Sequence, residues 1–259
     1  MKAVVTGASG GLGMRFARLL AADGYDLVLV ARSSDRMDAL AEELSGKHGV
    51  SVSAMAADLS TEEGMDAVSD RIRTDVPDVL INNAGFGDYG PFRGCDPHKQ
   101  EKMIELNVRA LTVLTHAALE GMVPRGSGRI MNVASVAAFQ PGPLMSVYYA
   151  TKAYVLSFTE ALSVELRGTG VTMTALCPGP TNTGFAVAAE ATGANLFKEA
   201  AGSDPDKVAS YGHRAMMKGK TVAVAGALFK AAVAAERILP RSAVRRLIYR
   251  IQRKSSSRI

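Results

Sequence analysis

This sequence lacks, or has little of, the features that several classes of protein need. Tryptophan is absent, which leaves little aromatic surface for stacking nucleobases. The only cysteines are Cys95 and Cys177, and two thiols supply neither a disulfide framework nor a metal-ligand cluster, so we expect a reducing, cytoplasmic setting. The longest apolar runs are short strands such as Leu27–Ala31, well below a bilayer-spanning length, and no signal peptide is apparent. These absences favour a soluble globular protein.

Positive charge is concentrated at one end of the chain. The formal net charge is +5, and eight Lys or Arg residues with no acid lie between Arg237 and Ile259, so the rest of the chain is mildly acidic. Beyond Pro240, apolar residues recur at helical spacing with arginines between them, which predicts a short basic amphipathic helix. We interpret this helix as part of a homo-oligomer interface; the alternative is contact with an anionic membrane surface. Nucleic-acid binding is disfavoured, because no recognised module is present.

Short β-rich runs alternate with longer amphipathic stretches, a pattern typical of βαβ units that build a parallel sheet. The predicted strands are Lys2–Thr6, Leu27–Arg32, Ser51–Ala56, Val79–Asn82, Arg129–Ala134, Val171–Cys177 and Thr221–Ala225. The predicted helices are Met14–Asp23, Asp35–Lys47, Glu62–Thr74, Pro97–Met122 and Ser146–Arg167. Right-handed crossovers then require an α/β fold with a doubly wound parallel sheet of about seven strands. Its ligand crevice is expected at the carboxyl ends of the strands.

We predict a single catalytic domain over residues 1–225 and a helical basic extension over residues 226–259. Residues 179–218 follow the sixth strand, are rich in Ala, Gly and Thr, and show weak periodicity. We therefore interpret residues 179–218 as a cover over the crevice.

A glycine-rich turn joins the first strand to the first helix. Glycines permit positive φ angles and close approach of the main chain to a ligand, and a helix N-terminus favours a pyrophosphate. The spacing departs from the general GxGxxG dinucleotide fingerprint, so the turn alone is a weak signal. The candidate cofactor residues in it are Gly7, Ser9, Gly11, Leu12 and Gly13.

The end of the second strand carries the signal for cofactor choice. An acid there would bind the adenosine ribose hydroxyls and repel a 2′-phosphate. This sequence has Arg32 and Ser33 instead, and a guanidinium suits a phosphate. NADP(H) is therefore favoured over NAD(H).

Tyr148 and Lys152 lie four residues apart near the start of a long predicted helix, so they are neighbours on one face. A free phenol has a pKa of about 10, and a nearby cation lowers it towards the working pH of an acid/base group. The residue four positions after Tyr149 is Ala153, which is not a cation, so we assign Tyr149 to packing.

With these motifs in place, the chain resembles the short-chain dehydrogenase/reductase family from the first strand to about residue 225. The matches follow the family's order: the Thr6–Gly13 turn, Asp58, Asn82–Gly85, Asn107, Ser135, Tyr148 with Lys152, and Pro178–Gly179. The resemblance implies a Rossmann fold and hydride transfer between a nicotinamide cofactor and a carbonyl or secondary alcohol. It also implies a small-molecule substrate and a homo-oligomer, commonly a dimer or tetramer.

The resemblance also implies a role for each matching residue. Ser135 would hydrogen-bond the substrate carbonyl oxygen, and Tyr148 would protonate that oxygen in reduction. Lys152 would hold the nicotinamide ribose and lower the pKa of Tyr148, and Asn107 would anchor a water that relays protons. The remaining implied cofactor contacts are Asp58 and Leu59 at the adenine, Asn83, Ala84 and Gly85 along the wall, and Pro178, Gly179, Thr181 and the weaker candidate Thr183 along the nicotinamide.

Substrate contacts are less readable from the sequence. Residues that could border the substrate are Asp88, Tyr89 and Phe92, and residues that could line an apolar pocket are Phe139, Leu144, Met145, Phe185 and Phe197. The four histidines have no metal-ligand spacing, and no metal site is predicted. We expect a reductase or dehydrogenase acting on apolar carbonyls or alcohols. Alternatives are a 3-oxoacyl thioester reductase, whose acidic carrier or phosphate-bearing coenzyme would meet the basic extension, and a non-catalytic NADP(H)-binding sensor.

Overall fold

The computed structural model describes residues 1–191, 203–236 and 238–253. Its strands are β1 (Lys2–Thr6), β2 (Asp26–Ala31), β3 (Val52–Ala56), β4 (Val79–Asn82), β5 (Gly128–Val133), β6 (Val171–Cys177) and β7 (Val222–Val224). They form one parallel sheet in the order β3-β2-β1-β4-β5-β6-β7. The predicted doubly wound fold is confirmed. The bounds of β1, β4 and β6 are the predicted ones, and the ends of the other strands differ from the prediction by at most one residue.

Helices cover both faces of the sheet. They are α1 (Gly11–Ala22), α2 (Ser34–His48), α3 (Glu62–Thr74), α4 (Pro97–Ile104), α5 (Leu111–Arg125), α6 (Ser146–Glu165), α7 (Phe185–Ala188), α8 (Pro205–Met217), α9 (Ala227–Glu236) and α10 (Arg241–Gln252). Short 3₁₀ turns lie at Phe92–Gly94 and Val136–Ala138. In the described parts of the chain, no helix combines the length and apolarity needed to cross a bilayer.

The sheet is covered by two main apolar layers. One joins α1, α2 and α8 to the sheet around Phe16, Leu29 and Met216. The other joins α3 and α5 to the opposite face around Ile72, Leu80 and Leu114. Because both faces are covered, the strands consist of nearly continuous apolar runs, as the sequence shows.

The helix predicted from Pro97 to Met122 is interrupted by a π-helical stretch, Glu105–Ala110, which links α4 to α5. The stretch contains Asn107, whose side chain is only 1% exposed. Such widened turns often occur at functional sites, because they redirect a side chain out of the regular helical register.

The segment predicted as a cover, residues 179–218, contains a helix. Residues 205–217 form helix α8, which packs its Val208 and Met216 into the layer around α1 instead of lying over the crevice. Asp204 caps the helix by accepting a hydrogen bond from the Asp206 N–H, and Pro205 occupies its first turn. These start signals were readable in the sequence and were missed, because the neighbouring residues lack periodicity.

Candidate active site

A cleft of about 750 Å³ opens at the carboxyl ends of the strands, beside the point where the strand order reverses between β1 and β4. The loops that follow the first six strands all contribute to its wall. This is where open parallel sheets bind ligands, because loops from neighbouring strands diverge there.

The glycine-rich turn forms the floor of the cleft. Gly7 and Gly11 have φ angles of +66° and +54°, which favour glycine. A Cβ atom on Gly13 would lie 2.3 Å from the Gly7 carbonyl oxygen, whereas one on Gly10 would meet nothing within 4 Å. The turn therefore brings bare main chain and the start of α1 to the cleft, an arrangement that fits a pyrophosphate.

The loop after β4 fastens this turn in place. The Asn83 side-chain amide donates to the main-chain oxygens of Thr6 (2.9 Å) and Gly7 (3.2 Å). The N–H groups of Asn83 and Ala84 both donate to the Thr6 hydroxyl at 3.0 Å. The two loops therefore form one rigid cradle.

Basic side chains gather at one end of the cleft. Arg32, Arg36 and Lys102 line it together with Asp58. Burial raises the pKa of Asp58, but hydrogen bonds from Ser60 and the nearby charges of Arg32 and Lys102 outweigh it and keep that pKa below its ordinary value. This end can therefore hold an anionic group while Asp58 stays ionised. Arg36 and Lys102 were not predicted here, because neither belongs to a motif.

Ser135, Tyr148 and Lys152 meet in the cleft. Ser135 follows β5 and accepts a hydrogen bond of 3.1 Å from the Ala137 N–H, while Tyr148 lies in the first turn of α6. The Lys152 ammonium lies 5.8 Å from the centre of the Tyr148 ring and donates 2.7 Å to the Val133 carbonyl oxygen. All three side chains are at least nine-tenths buried. Their convergence from two elements is the constellation that acid/base chemistry requires.

Burial dominates the ionisation of this cluster. It raises the pKa of Tyr148 to about 12, against a hydrogen bond from Ser135 that lowers it. It also lowers the pKa of Lys152 to about 8. The net shift of Tyr148 is opposite to the one predicted from its spacing to Lys152. The reason is that removal of water destabilises the phenolate and the ammonium alike.

Asn107 reaches the same region from the π-helical stretch. Its amide donates to the Phe86 carbonyl oxygen (2.9 Å) and the Thr151 hydroxyl (3.1 Å), and its side-chain oxygen accepts from the Phe86 N–H (3.1 Å). A Cβ atom on Gly85 would lie 2.9 Å from that oxygen. Asn107 therefore joins the loop after β4 to α6, behind the wall of the cleft.

The end of the cleft near Tyr148 is apolar. Phe86, Met145, Tyr149 and Phe185 line it, and the Phe185 ring lies 5.2 Å from that of Tyr148. Phe86 and Tyr149 were missed as lining residues, because nothing in their spacing sets them apart from core residues.

The structure brings most of the predicted residues together. The predicted cofactor residues that line the cleft are Gly7, Ser9, Gly11, Leu12, Arg32, Ser33, Asp58, Leu59, Asn83, Ala84, Gly85, Tyr148, Lys152, Pro178, Gly179 and Thr181. Gly13 and Asn107 lie behind the wall. Among the weaker candidates, Thr183, Met145 and Phe185 line the cleft, whereas Asp88, Tyr89, Phe92, Phe139 and Leu144 do not. Phe197 lies outside the described residues.

Fold and site together define a doubly wound α/β protein with a Ser–Tyr–Lys cluster in its ligand cleft. Residues 1–193 match the short chain dehydrogenase family, and the chain belongs to that family. The resemblance drawn from the motifs is thus confirmed.

Individual relatives agree with this assignment. A short-chain dehydrogenase from Sphingobium yanoikuyae, solved in complex with NADPH, is 33% identical with a TM-score of 0.84, covering 99% of this chain and 98% of that one. A bulky-bulky ketone specific alcohol dehydrogenase from Comamonas testosteroni is 28% identical with a TM-score of 0.79, covering 99% and 96%. The very-long-chain 3-oxoacyl-CoA reductase of Bos taurus is 33% identical over 180 residues, which are 68% of this chain. The match spans only 58% of the length of that reductase.

Proposed function

We propose that this chain is an NADP(H)-dependent oxidoreductase that transfers a hydride between the cofactor and an apolar ketone, aldehyde or secondary alcohol. The observation that carries the proposal is the convergence of Ser135, Tyr148 and Lys152 in one buried cluster at the cleft. Membership of the short chain dehydrogenase family supports the same reaction class.

The residues present fit the cofactor. The Gly7–Gly13 turn offers close main-chain approach, and Arg32 with Arg36 offers guanidinium groups for a 2′-phosphate. The NADPH complex of the Sphingobium relative supports this preference. When bound, the cofactor supplies the hydride, and the protein supplies orientation and charge stabilisation.

The cluster would handle the proton. With a pKa of about 12, Tyr148 is protonated at neutral pH and can donate to the substrate oxygen during reduction. Ser135 would donate a hydrogen bond to the same oxygen as negative charge develops on it. Lys152, anchored on the Val133 carbonyl, would stay close enough to stabilise the phenolate that remains. Asn107 would hold Phe86 and α6 in register and anchor the relay water.

The substrate end supports an apolar carbonyl. Phe86, Met145, Tyr149 and Phe185 present hydrocarbon surface there, whereas Arg32 and Lys102 lie near Asp58 at the other end. Burial of an apolar substrate at this end lowers the free energy, whereas a charged substrate would lose its hydration without gaining a partner. The bulky ketones named for the Comamonas relative fit the same description.

NADPH oxidation, followed by absorbance, tests the proposal. The panel should contain alkyl ketones, aldehydes, ketosteroids, quinones and 3-oxoacyl thioesters, with NADH as the second cofactor. We expect turnover of at least one apolar carbonyl and a preference for NADPH. Tight NADPH binding without turnover of any compound would contradict the proposal and favour the sensor.

A 3-oxoacyl thioester reductase is the second candidate. The exposed Arg245, Arg246 and Arg250 of α10 could meet a phosphate-bearing coenzyme, and the Bos taurus relative carries that activity in its name. Replacing these arginines by Gln would then weaken activity on coenzyme A thioesters alone. If the variant keeps wild-type activity on coenzyme A thioesters as well as on small ketones, this candidate is excluded.

A homo-oligomer remains our proposal for the assembly, with the basic extension as part of the interface. Ile238 and Leu239, just before α10, are exposed apolar residues that a second subunit could cover. Light scattering on the purified protein gives its mass directly; a monomer at micromolar concentration would contradict the proposal.

A further inference from the structure

Helix α10 reaches the candidate active site at Tyr149, the residue that follows Tyr148. The Gln252 side-chain amide donates to the Tyr149 hydroxyl, and the Tyr89 hydroxyl donates to the Gln252 main-chain oxygen at 2.8 Å. Gln252 is only 1% exposed. A polar side chain from the last turn of the last helix is therefore buried against the wall of the cleft, 103 residues from its partner.

The Tyr149 ring is fixed on its other sides. Its centroid lies 6.1 Å from that of Tyr148, with the planes at 75°, an edge-to-face contact. Gly142 lies so close to one face that a Cβ atom there would be 2.1 Å from the ring. Gly142 and Tyr148 contact the ring itself, whereas Gln252 binds the hydroxyl group at the end of the ring. The hydrogen bond from Gln252 therefore completes the restraint on the orientation of the Tyr149 side chain.

Other parts of the C-terminal segment also pack against the cleft. Ile248 of α10 joins the apolar cluster around Met145 and Tyr148. The Phe229 ring of α9 covers Gly179, where a Cβ atom would lie 2.2 Å from it. The Gln140 side-chain amide, oriented with its nitrogen towards the neighbouring acceptors, donates to the Glu236 carboxylate at 2.9 Å. Helices α9 and α10 thus contact the loops after β5 and β6 as well as α6.

We propose that Gln252 is a positioning residue that preorganises the substrate end for bulky substrates, by holding Tyr149 as a fixed wall beside Tyr148. The proposal rests on the proposed function, because it concerns the same cleft. Without the amide, the Tyr149 hydroxyl is left buried without this partner, a state that costs free energy until the ring moves or water enters. A bulky substrate that packs against the wall must then order it on binding, whereas a small one need not touch it.

The test compares Gln252→Leu, Tyr149→Phe and the double variant with the wild type. Each single change breaks the same hydrogen bond with little change in volume. KM and kcat are measured for a small aliphatic ketone and a bulky aryl ketone, and NADPH affinity is measured by fluorescence titration. The control is Ser242→Ala, an exposed residue of the same helix α10.

For the bulky ketone, we expect KM to rise about fivefold to tenfold in each single variant, because each variant loses one buried hydrogen bond. We expect kcat, KM for the small ketone and NADPH affinity to stay within about twofold. The double variant should lose no more than either single variant, because both remove one interaction. Ser242→Ala should match the wild type.

Several outcomes would overturn the inference. Unchanged KM for the bulky ketone in both single variants would do so, and so would losses that multiply in the double variant or extend equally to the small ketone and NADPH. Should Gln252→Leu fail to fold, Tyr149→Phe, which removes a single oxygen, decides alone. A wild type that reduces no carbonyl compound contradicts the proposed function itself, and the inference fails with it.

Discussion

The ammonium of Lys152 lies 5.8 Å from the centre of the Tyr148 ring, yet its hydrogen bond of 2.7 Å goes to the Val133 carbonyl oxygen at the end of β5. The sheet thus holds the lysine, and the lysine lies one helical turn from the tyrosine. This arrangement links the ionisation of Tyr148 and Lys152 on α6 to β5, the strand that precedes Ser135, and it is the basis for the first predictions.

Tyr148→Phe should remove the proton donor and leave the shape of the site intact. We expect kcat for carbonyl reduction to fall by roughly 10²- to 10⁴-fold, the usual contribution of general acid catalysis. NADPH affinity should stay within about twofold, because a phenyl ring preserves the packing. Steady-state kinetics and a binding titration measure the two effects. A fall in kcat of less than tenfold would mean that another group donates the proton.

The pH dependence should follow Lys152. Because burial lowers its pKa to about 8, its charge is lost as the pH rises through that value in the free protein. We expect kcat/KM for NADPH to decline above about pH 8, since that parameter reports ionisations of the free enzyme. Tyr148 and Cys177, with pKa values of about 12, stay protonated over this range. In Lys152→Arg the decline should disappear, even at lower activity, because the guanidinium does not titrate. An unmoved decline would assign it to another group.

The same burial should cost stability. A lysine whose pKa falls from 10.5 to about 8 on folding destabilises the native state fully below pH 8, and this cost vanishes as the pH approaches 10.5. Lys152→Met should therefore raise the free energy of unfolding at pH 7 by up to roughly 3 kcal/mol. Denaturant titrations at pH 7 and pH 10 measure the gap between variant and wild type. A gap that does not shrink at pH 10 would contradict this origin.

How much was predictable depends on whether a feature is local. The strands and the Thr6–Gly13 turn follow from apolar runs and glycines, and the Ser135, Tyr148 and Lys152 cluster follows from motifs on elements that the sheet brings together. The π-helical stretch was missed, because it is stabilised by contacts of Asn107 with distant Phe86 and Thr151.

Two other features could not be read from the sequence. The direction of the Tyr148 pKa shift depends on how much water the folded chain removes, which spacing along a helix does not report. The hydrogen bond between Gln252 and Tyr149 depends on where α10 packs, and the sequence of α10 shows only a basic amphipathic pattern.

Arg32→Ala should change cofactor preference. Arg32 lines the basic end of the cleft, and loss of a charge-assisted phosphate contact costs about 1.5–3 kcal/mol. We expect the Kd for NADPH to rise by roughly 10- to 100-fold and the Kd for NADH to change little. Titration with both cofactors measures the ratio. The control is Lys47→Ala, at the exposed end of α2 and away from the cleft. Equal losses for NADPH and NADH would show that Arg32 does not contact the 2′-phosphate.

Gly13→Ala and Gly10→Ala form a matched pair within one turn. The added methyl group at residue 13 would meet the Gly7 carbonyl oxygen at 2.3 Å, so the main chain of the turn must shift. At residue 10 the same methyl group meets nothing within 4 Å, and its φ of −179° is extended backbone that alanine adopts. We expect Gly13→Ala to weaken NADPH binding by at least tenfold and to lower Tm, since backbone clashes typically cost 1–3 kcal/mol. Gly10→Ala should keep both within about twofold and about 2 °C. If both variants bind NADPH like the wild type, the turn does not approach the cofactor, and the cradle assigned to it is wrong.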